Sequence, residues 1–271
     1  MKKIFLLIIS LFIVIILVFF VFNKSTKNSI DDGIENKVIL QKEYEVKEKI
    51  TVPILIYHNI RDFKLGESAQ DKQYVVSVEN FEKQMKYLNE NGFQTILMRD
   101  LYYYFEGEKD LPQNPVIINF DDGVVNQYES AFPILKKYNQ VATFFVFTNA
   151  MDRNVNYINW TQLAEMVDAG MEVGSHSNLH PFLNKIIDKK LLEKEIKGSK
   201  DEIESRLGVE VISFAYPFGE YNDSNKQLVK GSGYFVARGI KNGEEHNKEG
   251  LYDLRAYFVT SDFEGFKKLI D

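Results

Sequence analysis

The sequence predicts an α/β protein, a closed or nearly closed (β/α) barrel of six to eight units preceded by an N-terminal transmembrane helix. Three observations predict it. Short apolar runs alternate with helical patterns from residue 51 onward. The runs are nearly continuous in apolar residues, as strands covered on both faces of a parallel sheet require. The unusual polar residues fall at the ends of those runs, where parallel α/β folds collect their functional groups. Strand–helix units repeating through about 220 residues fit a closed or nearly closed barrel. A doubly wound open sheet is the alternative and shares the strand-end rule.

The elements follow in chain order. Residues 1–23 read as a membrane anchor. Lys2 and Lys3 precede an apolar run over 4–22, broken only by Ser10. Such a run spans roughly 28 Å as a helix, enough for a bilayer core of about 30 Å. The two lysines favour a cytoplasmic N-terminus and place the rest of the chain outside the cell as a single-pass protein. A cleaved signal peptide, giving a secreted protein, is the rival reading. The 21–24 stretch offers no small-residue cleavage site for it. Residues 24–50 are polar and charged and read as a tether. Residues 51–271 form the folded domain.

Within that domain the pattern predicts a strand over 54–58. A helix over 78–91 follows, capped by Ser77 and stopped by Gly92. A strand over 93–96 and a helix over 99–105 come next. The strand over 116–120 runs into Asp121-Asp122-Gly123. A helix over 126–138 and a strand over 142–147 follow, then a helix over 160–169 and a strand over 171–174. One long amphipathic helix is expected over 184–207, ended by Gly208. Strands over 211–215 and 234–237 flank a helix over 224–230. A strand over 255–259 and a helix over 263–270 complete the series. Tyr102, Tyr103, Tyr104 and Phe105 are read as one buried helix face rather than a sugar platform.

Composition narrows the chemistry. The chain is 45% hydrophobic, so a sizeable core can form. A net charge of −6 argues against nucleic acid as a partner, since phosphate contacts want a basic stripe. There are no cysteines, so a metal must sit on His, Asp or Glu.

Three of the four histidines lie at strand ends. His58 ends the first strand, and His176 and His180 follow the strand over 171–174. His246 sits in a charged loop over 241–250 and reads as solvated. Taken singly, Asp-Asp-Gly fits a turn and a His-x-x-x-His pair fits two ordinary histidines. Together they change the odds. Two imidazoles and one carboxylate suit zinc or a similar divalent ion and leave a position open for water. Neighbouring aspartates at a strand end should point to opposite sides. One can then ligate while the other acts as general base. Too few ligands are present for the two-metal clamp of a phosphoesterase.

At these residues the chain resembles the polysaccharide deacetylases, carbohydrate esterase family 4 with its NodB-homology domain. The segment from Asn119 to Gly123 resembles the first motif of that family. His176-Ser177-Asn178-Leu179-His180-Pro181 resembles the second, and Phe214-Ala215-Tyr216-Pro217-Phe218-Gly219 the third. The resemblance covers roughly 52–271. It implies a distorted (β/α) barrel of about seven units that hydrolytically removes N-acetyl groups from amino-sugar polymers. Asp121 would be the base, and Asp122, His176 and His180 the ligands of a divalent ion, zinc first and cobalt or nickel as alternatives. The Phe218 N–H would help hold the oxyanion.

The departures from the family pattern are specific. Ala215 stands where the third motif usually has Arg. The Asp-x-x-x-Trp and late Leu-x-x-His motifs are missing. Pro53-Ile54-Leu55-Ile56-Tyr57-His58-Asn59-Ile60 resembles the opening motif of the extracellular poly-N-acetylglucosamine deacetylases, which makes His58 the general acid. Arg255, in Asp253-Leu254-Arg255, is assigned as the replacement arginine that orients Asp121. The expected substrate is an extracellular or cell-wall N-acetylglucosamine polysaccharide. Peptidoglycan or chitooligosaccharide deacetylation, and an inactive glycan-binding relative, are the alternatives.

Overall fold

The computed structural model describes residues 44–270. The expected membrane span and residues 24–43 of the tether lie outside the described residues. Among the described residues, no helix is long and apolar enough to cross a membrane.

The strands, in chain order, are β1 (Ile50–Thr51), β2 (Ile54–Tyr57), β3 (Asn59–Ile60), β4 (Val75–Val76), β5 (Gln94–Ile96) and β6 (Pro115–Phe120). They continue with β7 (Thr143–Val146), β8 (Glu172–Ser175), β9 (Ser213–Ala215), β10 (Val236–Arg238), β11 (Glu245–His246) and β12 (Tyr257–Phe258). Eight of them make one parallel sheet in the order β10-β9-β8-β7-β6-β2-β12, with β5 also paired to β6. A parallel bridge from Arg238 to Leu254 ties the β10 edge to the segment that leads into β12. The sheet is therefore a parallel-strand half-barrel, in keeping with the expected (β/α) barrel.

Side-chain parity sorts the strand residues onto two cores. Leu55, Tyr57, Ile118, Phe120, Phe144 and Val146 pack outward under the helices. Ile54, Ile56, Ile117, Phe145, Ala215 and Val236 pack on the inner side. Both sets are nearly solvent-free, which is why the strands read as continuous apolar runs. Parity also decides where the polar residues go. Arg238, two positions after Val236, falls on the inner side, and so does Asp121, four after Ile117.

Most helices lie where expected. The first long one, Val78–Glu90, is capped by Ser77, whose Oγ accepts from the Asn80 N–H at 3.3 Å. Two expected helices differ in kind. The stretch over 126–138 is a π-helical turn, Gln127–Ala131, running into an α-helix, Phe132–Lys137. The stretch over 184–207 is a 3-10 turn, Leu183–Lys185, then a helix starting at Lys189 behind an Asp188 cap. That helix passes through a second π-helical turn, Lys194–Gly198, before Ser199–Leu207. The cause at its start is local. Asp188 offers its carboxylate to the Lys190 and Leu191 N–H groups, and capping favours a break there. The Gly208 stop is as expected, a left-handed residue with φ 67°.

His246 corrects the sequence reading. It is 4% exposed, and its Nε2–H donates to the Val52 carbonyl at 3.0 Å. Its loop is charged, but His246 itself sits in β11, which pairs antiparallel with β1 through Ile50. The last residues of the expected tether are already held at this end of the sheet: the Lys47 N–H donates to the Tyr104 hydroxyl at 2.9 Å. Tyr104 and Phe105 are buried, as expected for a packed helix face.

Candidate active site

A cleft of about 610 Å³ opens at the C-terminal ends of the strands. His58, Asp121, Asp122, His176, His180 and Phe218 all line it. These residues come from β2, β6, β8 and the turn after β9. Strand-end placement alone brings them together.

The two aspartates do not part to opposite sides. The Asp121 N–H continues the ladder, donating to Tyr57 O at 2.9 Å. Asp122 then takes φ 72° and Gly123 φ 69°. Two left-handed residues turn the chain sharply, and both carboxylates face the cleft. Gly123 is required for a second reason: a Cβ there would meet Val146 Cγ1 at 2.8 Å. Ser177, His180 and Phe218 also have positive φ, at 72°, 57° and 58°. Such strain, concentrated around one cleft, marks a site whose geometry the surrounding fold imposes.

The metal-type cluster is closely set. Asp122 Oδ1 lies 3.4 Å from His180 Nε2 and 3.7 Å from His176 Nε2. The two Nε2 atoms are 3.1 Å apart. Ligands held at about 2.0–2.2 Å around a tetrahedral ion sit roughly 3.3–3.6 Å from one another. The three atoms therefore already have the spacing of a tetrahedral face. Among the described residues, this is the group of His and carboxylate side chains that could hold an ion.

The electrostatics agree. His176 is buried, and burial drives its pKa down to about 3, helped by neighbouring His180. Burial also lowers His180. Both rings are neutral at pH 7 and available as ligands. The His176 Nδ1–H donates to the Ala215 carbonyl at 2.7 Å, which aims Nε2 at the cleft.

Asp121 is 3% exposed. Burial pushes its carboxyl up, but the Arg238 charge, joined by His176 and His58 when those rings are protonated, outweighs burial and holds it below the usual range. Arg238 is fully buried and donates from Nη2 to Asp121 Oδ1. With the Asn119 amide turned so that its oxygen faces the guanidinium, Arg238 Nε donates to it at 3.0 Å. The guanidinium also lies 4.9 Å over the Phe145 ring. Asp122, less supported, is pushed up by burial.

Arg238, not Arg255, is the arginine on Asp121. Leu254 and Ala256 are buried, whereas Arg255 between them is exposed. Its side chain lies along Gly243 and its charge acts on Glu245. Arg238 was missed because the expected strand stopped at Ala237. The register explains the substitution. Arg238 pairs with Ala215, so the arginine missing at 215 is supplied from the same level of the next strand.

His58 lies on the cleft wall with its ring stacked on Phe258 at 5.4 Å and edge-on to Tyr74 at 5.1 Å. It is close enough that its charge would lower both Asp121 and Asp122. Phe218 leads the turn after β9. Its ring stacks on Phe182 at 4.0 Å and meets His180 at 4.5 Å.

Comparison with known proteins bears on this arrangement. The polysaccharide deacetylase family model matches residues 108–237. That span holds both aspartates, both cluster histidines and Phe218, and it ends one residue before Arg238. A poly-β-1,6-N-acetyl-D-glucosamine N-deacetylase of Staphylococcus epidermidis is 29% identical over 81% of this chain and 78% of its own. The solved structure of BA0330 from Bacillus anthracis, assigned to the polysaccharide deacetylases, is 30% identical. It aligns with a TM-score of 0.72 over 82% of this chain and 70% of its own. The Streptococcus pyogenes deacetylase PplD, solved with acetate, gives a TM-score of 0.76 at 26% identity. That alignment covers 82% of this chain and 99% of the PplD chain.

Proposed function

From the premise that the chain belongs to the polysaccharide deacetylase family of hydrolases, we propose that it removes N-acetyl groups from an N-acetylglucosamine polymer outside the cell. One observation carries the reading. Three ligand atoms stand 3.1–3.7 Å apart, beside a buried carboxylate that an arginine keeps ionised. A glycan-binding module has no use for that carboxylate.

Asp122, His176 and His180 would hold the ion, with zinc the expected occupant and cobalt or nickel as alternatives. Bound there, it would supply Lewis acidity toward the attacking water and the amide carbonyl. Asp121 takes the proton of the attacking water as general base. Arg238 holds that carboxylate ionised and pointed into the cleft. The Phe218 N–H, presented by a left-handed residue, helps stabilise the oxyanion of the tetrahedral intermediate. His58, across the cleft, gives the proton that lets the amine depart. The poly-N-acetylglucosamine substrate is supported by the staphylococcal relative. The N-terminal apolar run supports a single-pass anchor over 1–23, with a tether over 24–50 and the deacetylase domain over 51–271 facing the exterior.

The test is acetate release by the full-length chain from β-1,6-N-acetylglucosamine oligomers and from peptidoglycan, with and without chelator. Acetate from the oligomers that stops on chelation and returns with zinc is expected. Release that is indifferent to chelator removes the metal from the reading, and release from peptidoglycan alone replaces the substrate.

A further inference from the structure

Two buried polar side chains touch the backbone of the site without lining the cleft, and both stand on π-helical turns. Gln127 opens the turn in which the Phe132 N–H reaches back to the Gln127 carbonyl. Its side chain is solvent-free. Nε2 donates to the His58 carbonyl at 2.9 Å and to the Asp121 carbonyl at 2.5 Å. The Oε1 of the same amide is buried without a protein partner among the described residues. A buried amide left half-satisfied costs free energy, so its two remaining bonds are what distinguish it from a packed apolar residue.

Glu195 stands on the other turn, Lys194–Gly198, and is 1% exposed. Its Oε2 accepts from the Asn178 N–H at 3.1 Å and the Leu179 N–H at 2.8 Å. These two amides belong to the loop between His176 and His180, whose ends are held in left-handed conformations at Ser177 and His180. A π-turn inserts one residue into a helix, and such turns recur at functional sites.

We propose that the two turns are separate clamps on the site. Gln127 sets the spacing of His58 and Asp121, and Glu195 sets the loop that presents His176 and His180. Both are positioning residues. The proposal rests on the metal-site reading above, and it makes the two halves of the site separable.

The experiment uses full-length protein stripped of metal and titrated with zinc against a chromophoric competitor. Wild type is read first: a chain that holds no zinc overturns the metal reading itself. Glu195→Met should weaken zinc binding about 10- to 100-fold, the usual effect of losing a group that orients a ligand. Glu195→Gln keeps an oxygen for both amides and should recover most of that loss. Gln127→Met should bind zinc as wild type does, while kcat at saturating zinc falls about 10- to 100-fold with KM little changed. Should either Met variant fail to fold, Glu195→Asp withdraws the same oxygen and Gln127→Leu removes the same donor. The same two losses are then expected. Wild-type zinc affinity in folded Glu195→Met or Glu195→Asp overturns the proposal, and so does a parallel fall of zinc affinity and kcat in the Gln127 and Glu195 variants.

Discussion

Asp121 and Glu172 are both buried carboxylates with an arginine beside them, at opposite ends of the sheet, and they settle in opposite directions. Asp121, at the C-terminal ends of the strands, is held below its ordinary pKa. Glu172, at the N-terminal end of β8, is 1% exposed and pushed above its ordinary value, chiefly by burial. Glu172 does not lack partners. Ser213 Oγ donates to it at 2.6 Å, and Arg99 donates from its backbone N–H at 3.0 Å and from Nε at 3.3 Å. The difference lies in the arginine. The Arg99 side chain is 37% exposed, so water screens its charge, whereas that of Arg238 is fully buried. An arginine keeps a buried carboxylate ionised when it shares the low dielectric, and much less well when it stands half in solvent.

The comparison can be broken at its stronger end. Arg238→Met leaves Asp121 buried without its cation and should cost about 3–5 kcal/mol in urea unfolding. Acetate release at neutral pH should fall by at least about 100-fold. The acid limb of the rate profile should move to higher pH, because burial then sets the carboxyl. An acid limb that stays put would show that Arg238 does not govern Asp121.

His246 sharpens the comparison at the N-terminal end of the sheet. Burial lowers its pKa to about 4. The unfolded chain binds that proton near pH 6.5, before the folded one does. The neutral ring's contribution is therefore full above 6.5 and fades as pH falls to about 4, by up to about 3 kcal/mol. Urea unfolding of wild type and His246→Gln at pH 7 and pH 4.5 checks it. The wild-type advantage should shrink at the lower pH, and a constant difference refutes the assignment.

The smallest effect is expected at Glu172. With its pKa raised in the fold, its favourable contribution is present below about 4.5 and is lost as pH rises through the raised value. Glu172→Gln should therefore gain on wild type as pH rises from about 4.5 through the raised value. Zinc affinity and acetate release should not change, since distant sites add independently. Altered zinc affinity in this variant would mean that the two ends of the sheet are coupled.

Much of the site was legible because its parts are local and chemically rare. Two histidines four apart and two adjacent aspartates can be read without knowing which strands are neighbours. The orienting arginine could not be read that way. Arg238 reaches Asp121 across 117 positions of sequence, through a pairing between β9 and β10 that periodicity does not reveal. Arg255 has an inviting sequence context, but its side chain lies along Gly243 beside Glu245, and Arg238 holds Asp121 instead. The barrel-like sheet followed from alternating apolar runs, but the two π-turns did not. One inserted residue barely disturbs a hydrophobic pattern, and the positions of Gln127 and Glu195 carry no motif. His246 was misread because the charge of a loop says nothing about the one side chain that turns inward.

The Ala215 carbonyl that sets the His176 tautomer has a consequence for how this protein can fail. A main-chain acceptor survives any side-chain change at its position, so no missense substitution at 215 deletes it outright. Asp121 has no such insurance, because its orientation depends on one guanidinium at the end of one long side chain. Losing the bond to His176 therefore takes a shift of the backbone, whereas losing the bond to Asp121 takes the change of a single side chain.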